Sequence, residues 1–263
     1  MSKIILLLPF GLGDHIYCNA IVRHYCQKYE KVATFCLPQN YPTVAFMFRD
    51  LQNLVIIAGD KSFAKRFIAT HSGDNGDREY DEAKIIGFEN FNRQSGELFQ
   101  HQLYRLAGVD FDLLEKNFLV ERDRGREEVL FAKIAPSGSY IFLHEDRSRN
   151  YTIKRQKINL KYKVVEPDPT LTDNIFDYCT LLERAKEIHV IDSSFMFLVD
   201  CLPYQNSQQK LYVHRYARPN EDWKLPVLKK DWQIITVGYS RLEKFYFASW
   251  FWGRKIMRKF FSL

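Results

Sequence analysis

The stretch Lys3-Ile4-Ile5-Leu6-Leu7-Leu8-Pro9-Phe10-Gly11-Leu12-Gly13-Asp14-His15-Ile16 decides how this chain is read. Residues 3–8 are an apolar run of strand length, closed by a proline and two glycines, and an amphipathic pattern then predicts a helix over 14–28. Glycines between a buried strand and a helix let the backbone turn tightly and approach a ligand. The first-turn N–H groups of such a helix favour an anion or a polar sugar. A dinucleotide fingerprint would need a third glycine where Ile16 stands, so NAD binding is not predicted. Asp14 is expected at the helix start, where an aspartate serves as an N-cap. It is also the candidate base at the cleft edge, placed to take a proton from an acceptor hydroxyl.

Outward from this turn, short apolar runs at 32–37, 54–58 and 82–87 read as strands, with helical patterns between or after them. The clearest helix spans 97–106 and ends at Gly108. Strands separated by helices predict βαβ units and a parallel sheet. The charge run 121–128 (ERDRGREE) reads as a hinge or surface crossover. A second cycle follows, with strands at 139–143, 163–165, 188–191, 210–214 and 233–237, a helix at 174–186, and a short apolar helix at 195–202 stopped by Pro203. The predicted fold is α/β, two Rossmann-like halves facing across a cleft. Residues 1–122 form the first half, 138–241 the second, and 242–263 a basic aromatic C-terminal helix.

Three stretches of the second half carry candidate chemistry, each where an apolar strand ends in polar residues. Ligands of open α/β sheets bind at that carboxyl edge. The first stretch supplies His144, Asp146, Arg147 and Arg149, the arginines being suited to bidentate contact with a diphosphate. The second supplies Glu166, a candidate acceptor of hydrogen bonds from a ribose or base, between a strand and two loop prolines. The third is Asp192-Ser193-Ser194-Phe195, where serine hydroxyls and helix N–H groups suit a phosphate. His189, inside a strand, reads as a packing or surface residue. Ile175, Tyr178, Cys179, Leu182 and Ala185 read as core, without chemistry.

These elements resemble the glycosyltransferases of the GT-B fold, particularly the bacterial heptosyltransferase-like enzymes. Gly11-Leu12-Gly13-Asp14 is similar to that family's Gly-x-Gly-Asp start. Asp192-Ser193-Ser194-Phe195 is similar to its Asp-(Ser/Thr)-Gly stretch and to the Ser-Ser-Phe turn of GT-B fucosyltransferases. The sequence departs from the family at Ser194, where a glycine is usual, and at Phe195 and Met196, where an acceptor-recognition histidine is expected. The resemblance implies a compact GT-B-like enzyme that moves a sugar from a nucleotide-sugar donor to a glycan or glycolipid acceptor, with inversion. The first half, with Gly11, Gly13 and His15 around the base Asp14, would then bind the acceptor. The second half, with the Ser193–Ser194 backbone on the diphosphate, would bind the nucleotide-sugar. The alternatives are a sugar-nucleotide epimerase or hydrolase on the same scaffold, and a non-catalytic nucleotide-sugar-binding module.

Composition narrows the field. Of 263 residues 46% are hydrophobic and 27% charged, an ordinary globular balance. Five cysteines without a CxxC pair predict reduced thiols and a cytoplasmic protein rather than a disulfide or zinc framework. The apolar run at 4–8 is too short for a signal peptide, and no stretch has the roughly 20 apolar residues a spanning helix needs. Five of the six net positive charges fall in the last twenty residues, so no nucleic-acid partner is predicted. In that tail Trp252, Ile256 and Phe260 fall on one helical face and Arg254, Lys255 and Arg258 on another, the pattern of a helix lying on an anionic membrane surface. Asp110-Phe111-Asp112 follows a turn after a helix rather than a strand, which argues against a metal-binding DxD. No metal site and no cofactor are predicted, the nucleotide-sugar being a substrate.

Overall fold

The computed structural model describes residues 2–73, 78–92, 94–218 and 224–236. The first half contains β1 (Lys3–Leu7), α1 (Leu12–Tyr17), α2 (Asn19–Lys28), β2 (Lys31–Cys36), α3 (Tyr41–Met47), β3 (Leu54–Ala58), α4 (Lys61–His71) and β4 (Glu82–Ile85). α5 (Phe99–Ala107) and α6 (Leu113–Lys116) follow. After α7 (Arg124–Ile134) the second half runs through β5 (Tyr140–His144), β6 (Lys163–Val165), α8 (Cys179–Arg184), β7 (Glu187–Val190), α9 (Ser194–Cys201), β8 (Lys210–His214) and β9 (Trp232–Ile235). The first sheet has the order β3-β2-β1-β4 and the second β6-β5-β7-β8-β9. Every strand pair in both is parallel.

Parallel sheets are covered on both faces, which is why the central strands read as continuous apolar runs. Along β1, Ile4 and Leu6 enter the main core while Ile5 and Leu7 join Phe35 and Tyr80 on the opposite face. In β5, Tyr140 and Phe142 enter the same main core, and Ile141 and Leu143 face a separate cluster with Ile153 and Tyr216. The main core therefore runs unbroken through both halves. Its joint is the contact of α1 with α9. The Phe197 ring lies where a Cβ on Gly13 would stand, and its centroid is 4.6 Å from that of Tyr17. Burying a ring of this size stabilises by roughly 2–3 kcal/mol. Thr43 adds a second tie between the halves, its hydroxyl donating to the Asp173 carbonyl at 3.1 Å. Phe46 stacks on Phe176 nearby.

Strand order fixes where a ligand can sit. Each sheet reverses its winding once, between β1 and β4 in the first and between β5 and β7 in the second. Crevices open at the carboxyl ends of strands at such switch points. The loops after β1, β4, β5 and β7 all reach the same cleft.

Three elements differ from expectation. The charge run 121–128 is helical from Arg124, with Asp123 accepting from the Arg126 N–H as its cap. Its charges are spent on packing. Arg122 pairs with Glu127 and Glu183, and Arg126 pairs with Asp177 at 2.7 Å, fixing α7 to the second half. The helix expected over 14–28 begins earlier, at Leu12, and is divided at Cys18, whose ψ of 0° separates α1 from α2. The helix expected over 174–186 opens as a 3-10 turn, Ile175–Tyr178, before α8. Residues 237–263, including the end of the last expected strand and the expected basic tail, lie outside the described residues.

The second sheet also encloses a polar ladder. His189 lies between Glu187, at 3.2 Å from its Nε2, and His214, at 2.9 Å from its Nδ1. His214 Nδ1 is in turn 3.2 Å from the Tyr216 hydroxyl, which accepts from the Lys154 N–H. One consistent assignment has Tyr216 donating to His214, His214 to His189, and His189 to the Glu187 carboxylate, with both rings neutral. His189, read from sequence as packing or surface, is thus buried and hydrogen-bonded within the sheet.

Candidate active site

The helix α1 opens on Gly11, which is its N-cap in extended conformation (φ −68°, ψ 139°). Asp14 is therefore not the cap but the third residue of the helix. Its carboxyl folds back to accept a hydrogen bond from the Gly11 backbone, as the N3 residue of a capping box does. A Cβ on Gly11 would stand 2.6 Å from Asp14 Oδ2, so only glycine leaves room for this fold-back. Gly13 serves packing instead, giving up its side-chain space to Phe197.

Asp14 lines a cavity of about 430 Å³ between the halves. Burial pushes its pKa from 3.8 up to about 7, against the opposing pull of the Gly11 hydrogen bond and the Arg218 charge. A carboxyl poised near neutrality is what a general base requires. Around it stand Gly11, Leu12 and Gly13 from the β1 turn, Phe88 from beyond β4, and Phe99 from α5. The second half contributes His144, Asp146 and Arg149 after β5, Asp192, Ser193 and Ser194 before α9, then Phe197, Arg218 and Lys224.

The α9 end of the cavity presents a helix N-terminus. Ser193 is the N-cap of α9 yet gives no side-chain cap, because its Oγ is 3.0 Å from His144 Nδ1. The helix dipole and first-turn N–H groups thus face the cavity without a competing hydroxyl. Desolvation lowers the His144 pKa to about 4, so the imidazole is neutral near pH 7 and holds Ser193 as a neutral partner. Asp192 is ion-paired with Arg215, and its carbonyl accepts from Arg218. Asp146 caps the 3-10 turn Arg147–Arg149, accepting from the Arg149 N–H at 3.1 Å, from Ser148, and from Arg149 Nε at 2.5 Å.

A second cavity, about 700 Å³, adjoins the first along β5 and β6. Phe195, Tyr178, Glu166, Glu145, Arg147 and Thr43 are among its walls. Arg147 does not reach out to a ligand here. Its Nη2 is 2.7 Å from Glu166 and its Nε 2.8 Å from Glu145. Glu166 is shared with Arg155 at 3.0 Å, so the expected ribose acceptor is already engaged by two guanidinium groups. Tyr178 and Ile175, read from sequence as core alone, form part of this wall. The Tyr178 hydroxyl also secures the proline loop through the Asp168 N–H at 2.8 Å.

Of the residues singled out from sequence, Gly11, Gly13, Asp14, His144, Asp146, Arg149, Asp192, Ser193 and Ser194 meet in the first cavity. Arg147, Glu166 and Phe195 line the second. His15 lines neither. It is 0% exposed, faces away from the cleft, and its ring nitrogens have no hydrogen-bond partner among the described residues. The helical step of about 100° per residue places neighbours Asp14 and His15 on different sides of α1, which the residue order alone conceals. Arg218, Lys224, Phe88 and Phe99 were not singled out, as none belongs to a strand-end motif. Among the described residues no group of three or more His, Cys, Asp or Glu stands together to hold a metal ion.

No protein-family model matches the chain, and no curated protein matches it in sequence. Solved structures do. ADP-heptose LPS heptosyltransferase II of E. coli superposes with a TM-score of 0.56 at 13% identity, over 89% of this chain and 90% of that one. A glycosyl transferase family 9 protein from Veillonella parvula gives a TM-score of 0.53 at 10% identity, over 93% and 90%. The fold is that of the GT-B glycosyltransferases, two parallel Rossmann-like sheets with a cleft between them.

Proposed function

We propose that this protein is a glycosyltransferase that moves a sugar from a nucleotide-sugar to a hydroxyl of a glycan or glycolipid acceptor, with inversion and without a metal. The observation that carries this is the pairing, across one cavity, of a carboxyl poised near pH 7 with an anion-seeking helix terminus. In a single displacement the acceptor oxygen bonds to the anomeric carbon as that carbon's bond to the diphosphate oxygen breaks. The hydroxyl proton passes to Asp14. Negative charge develops on the departing diphosphate, which the N-terminus of α9 and Arg149 stabilise without an ion. Phe88 and Phe99 give the Asp14 side an apolar wall on which a sugar face can rest.

The decisive experiment is a thermal-shift screen with nucleoside diphosphates and nucleotide-sugars, followed by turnover with the best donor. Ligands of the folded state raise its melting temperature. Release of nucleoside diphosphate is expected only when an acceptor is supplied, and is expected to persist in chelator. Equal release without acceptor would make the protein a hydrolase, and loss in chelator restored by magnesium or manganese would remove the metal-free step.

Among the described residues no helix is long and apolar enough to cross a membrane. Cytoplasmic placement, with residues 245–263 resting on anionic lipid, belongs to this proposal. Liposome co-sedimentation of full-length protein against a version ending at residue 252 tests it, and equal binding by both would refute the lipid contact.

A further inference from the structure

The turn after β5 and the turn after β8 are far apart in sequence, yet each sends an arginine to the same aromatic ring. The guanidinium carbon of Arg149 lies 5.2 Å from the Tyr151 ring centroid, and that of Arg218 lies 5.4 Å from it. Both arginines also line the cavity that holds Asp14 and the start of α9. Asp146 also holds Arg149, accepting from its Nε at 2.5 Å. Cation–π contact with the ring contributes roughly 0.5–1 kcal/mol or more for each pair.

The ring is itself held firmly. Tyr151 and Asp146 exchange backbone hydrogen bonds of 2.8 and 2.9 Å across a closed turn. Asn150 permits that turn by adopting a left-handed conformation, φ 61°. Arg218 is anchored on its other side, donating to the carbonyl of Asp192, two residues before α9. Its position is therefore set by the ring and by the turn that presents the helix N-terminus. Its charge is also felt at Asp14, where it opposes the effect of burial.

We propose that Arg149 and Arg218, positioned by Tyr151, form a two-arginine clamp that grips both phosphates of the donor's diphosphate and of the departing nucleoside diphosphate. The assignment rests on the glycosyltransferase function above and deepens it. Arg218 acts by direct contact with the diphosphate, and Tyr151 is a positioning residue that acts through the two guanidinium groups. A clamp with two separate forks matches an anion with two phosphoryl groups better than one with a single group.

The test is calorimetric binding of ADP, GDP and UDP and the three corresponding monophosphates to the full-length protein. Arg218→Gln is expected to weaken diphosphate binding about tenfold, a typical loss for a charge-assisted hydrogen bond. Monophosphate binding is expected to change far less. Arg218→Lys, which keeps charge and spares the fold, is expected to fall between wild type and Arg218→Gln. Tyr151→Leu is expected to resemble Arg218→Gln, while Tyr151→Phe, which keeps the ring, restores affinity. Undiminished diphosphate binding in both Arg218 variants would overturn the clamp while leaving the transferase function standing. Equal weakness of Tyr151→Phe and Tyr151→Leu would overturn the role of the ring. Wild-type protein that binds none of the three diphosphates would overturn both the clamp and the function it rests on.

Discussion

Asp14 and Asp192 occupy matching places in the two halves: each lies beyond a switch-point strand, close to the start of a helix that enters the same cleft. Their surroundings are opposite. Asp192 is ion-paired to Arg215 and serves to fix the α9 turn. Asp14 receives a backbone hydrogen bond from Gly11 and only a distant pull from Arg218, so burial dominates and its pKa rises to about 7. Two aspartates near helix starts in one cleft thus differ in whether an arginine is placed against the carboxylate. A shift from 3.8 to about 7 weighs on the order of 4 kcal/mol against the ionised form. That is a cost a merely structural aspartate would shed by finding a cation.

The sharpest way to break this comparison is Asp14→Asn. Its amide oxygen can still accept from Gly11, so circular dichroism is expected to be unchanged while turnover falls about 10²–10⁴-fold. The wild-type kcat/KM is expected to rise about tenfold per pH unit below pH 7 and to level above it, because the base works only when ionised. That rise is expected to vanish in the variant. Unchanged turnover would make Asp14 as structural as Asp192. Next in size is Gly13→Ala, whose methyl group must displace the Phe197 ring at the joint of the halves. Overpacking of this kind costs about 1–3 kcal/mol. Phe197→Leu in the same chain is expected to recover part of the lost melting temperature, and a strictly additive double variant would show that the two do not meet. Smallest is Arg147→Ala. Because its guanidinium is already held by Glu145 and Glu166, nucleoside diphosphate affinity is expected to change by less than about threefold. A loss of tenfold or more would show that the arginine leaves its carboxylates for the ligand.

The same comparison explains what could be read from sequence. Both sheets were legible, since fully buried parallel strands such as Ile4–Leu7 and Ile141–Leu143 have few ways to be anything else. The strand-end turns were legible too, because a glycine pair or an Asp-Ser-Ser after a buried strand has strong local causes. Pairing was not. Whether Arg147 is free or chelated depends on Glu166, nineteen residues away and just beyond another strand. Residues 121–128 form part of a helix because Asp177 and Glu183 supply partners from far along the chain. Arg218 follows β8 in an unremarkable stretch, and only the sheet order brings it back over Asp192. The burial of His15 likewise depends on which side of a single turn faces the sheet.

The histidine ladder between β7 and β8 has a bearing on how the molecule meets acid. Burial lowers the pKa of His15 and His144 to about 4 and of His214 to about 3, and it lowers that of His189 as well. Protons are therefore ligands of the unfolded chain, whose histidines take them up near pH 6.5, and are refused by the folded one. The stability these residues confer is complete above pH 6.5 and drains away as the pH falls toward their folded values. Asp14 runs the other way, favouring the folded form below pH 7, but it is one group against four. A second proton on the His189–His214 pair would set two donors face to face where one hydrogen bond now stands. The melting temperature is expected to fall steadily between pH 6.5 and 4.5, and a flat profile would mean that these four histidines reach water without cost.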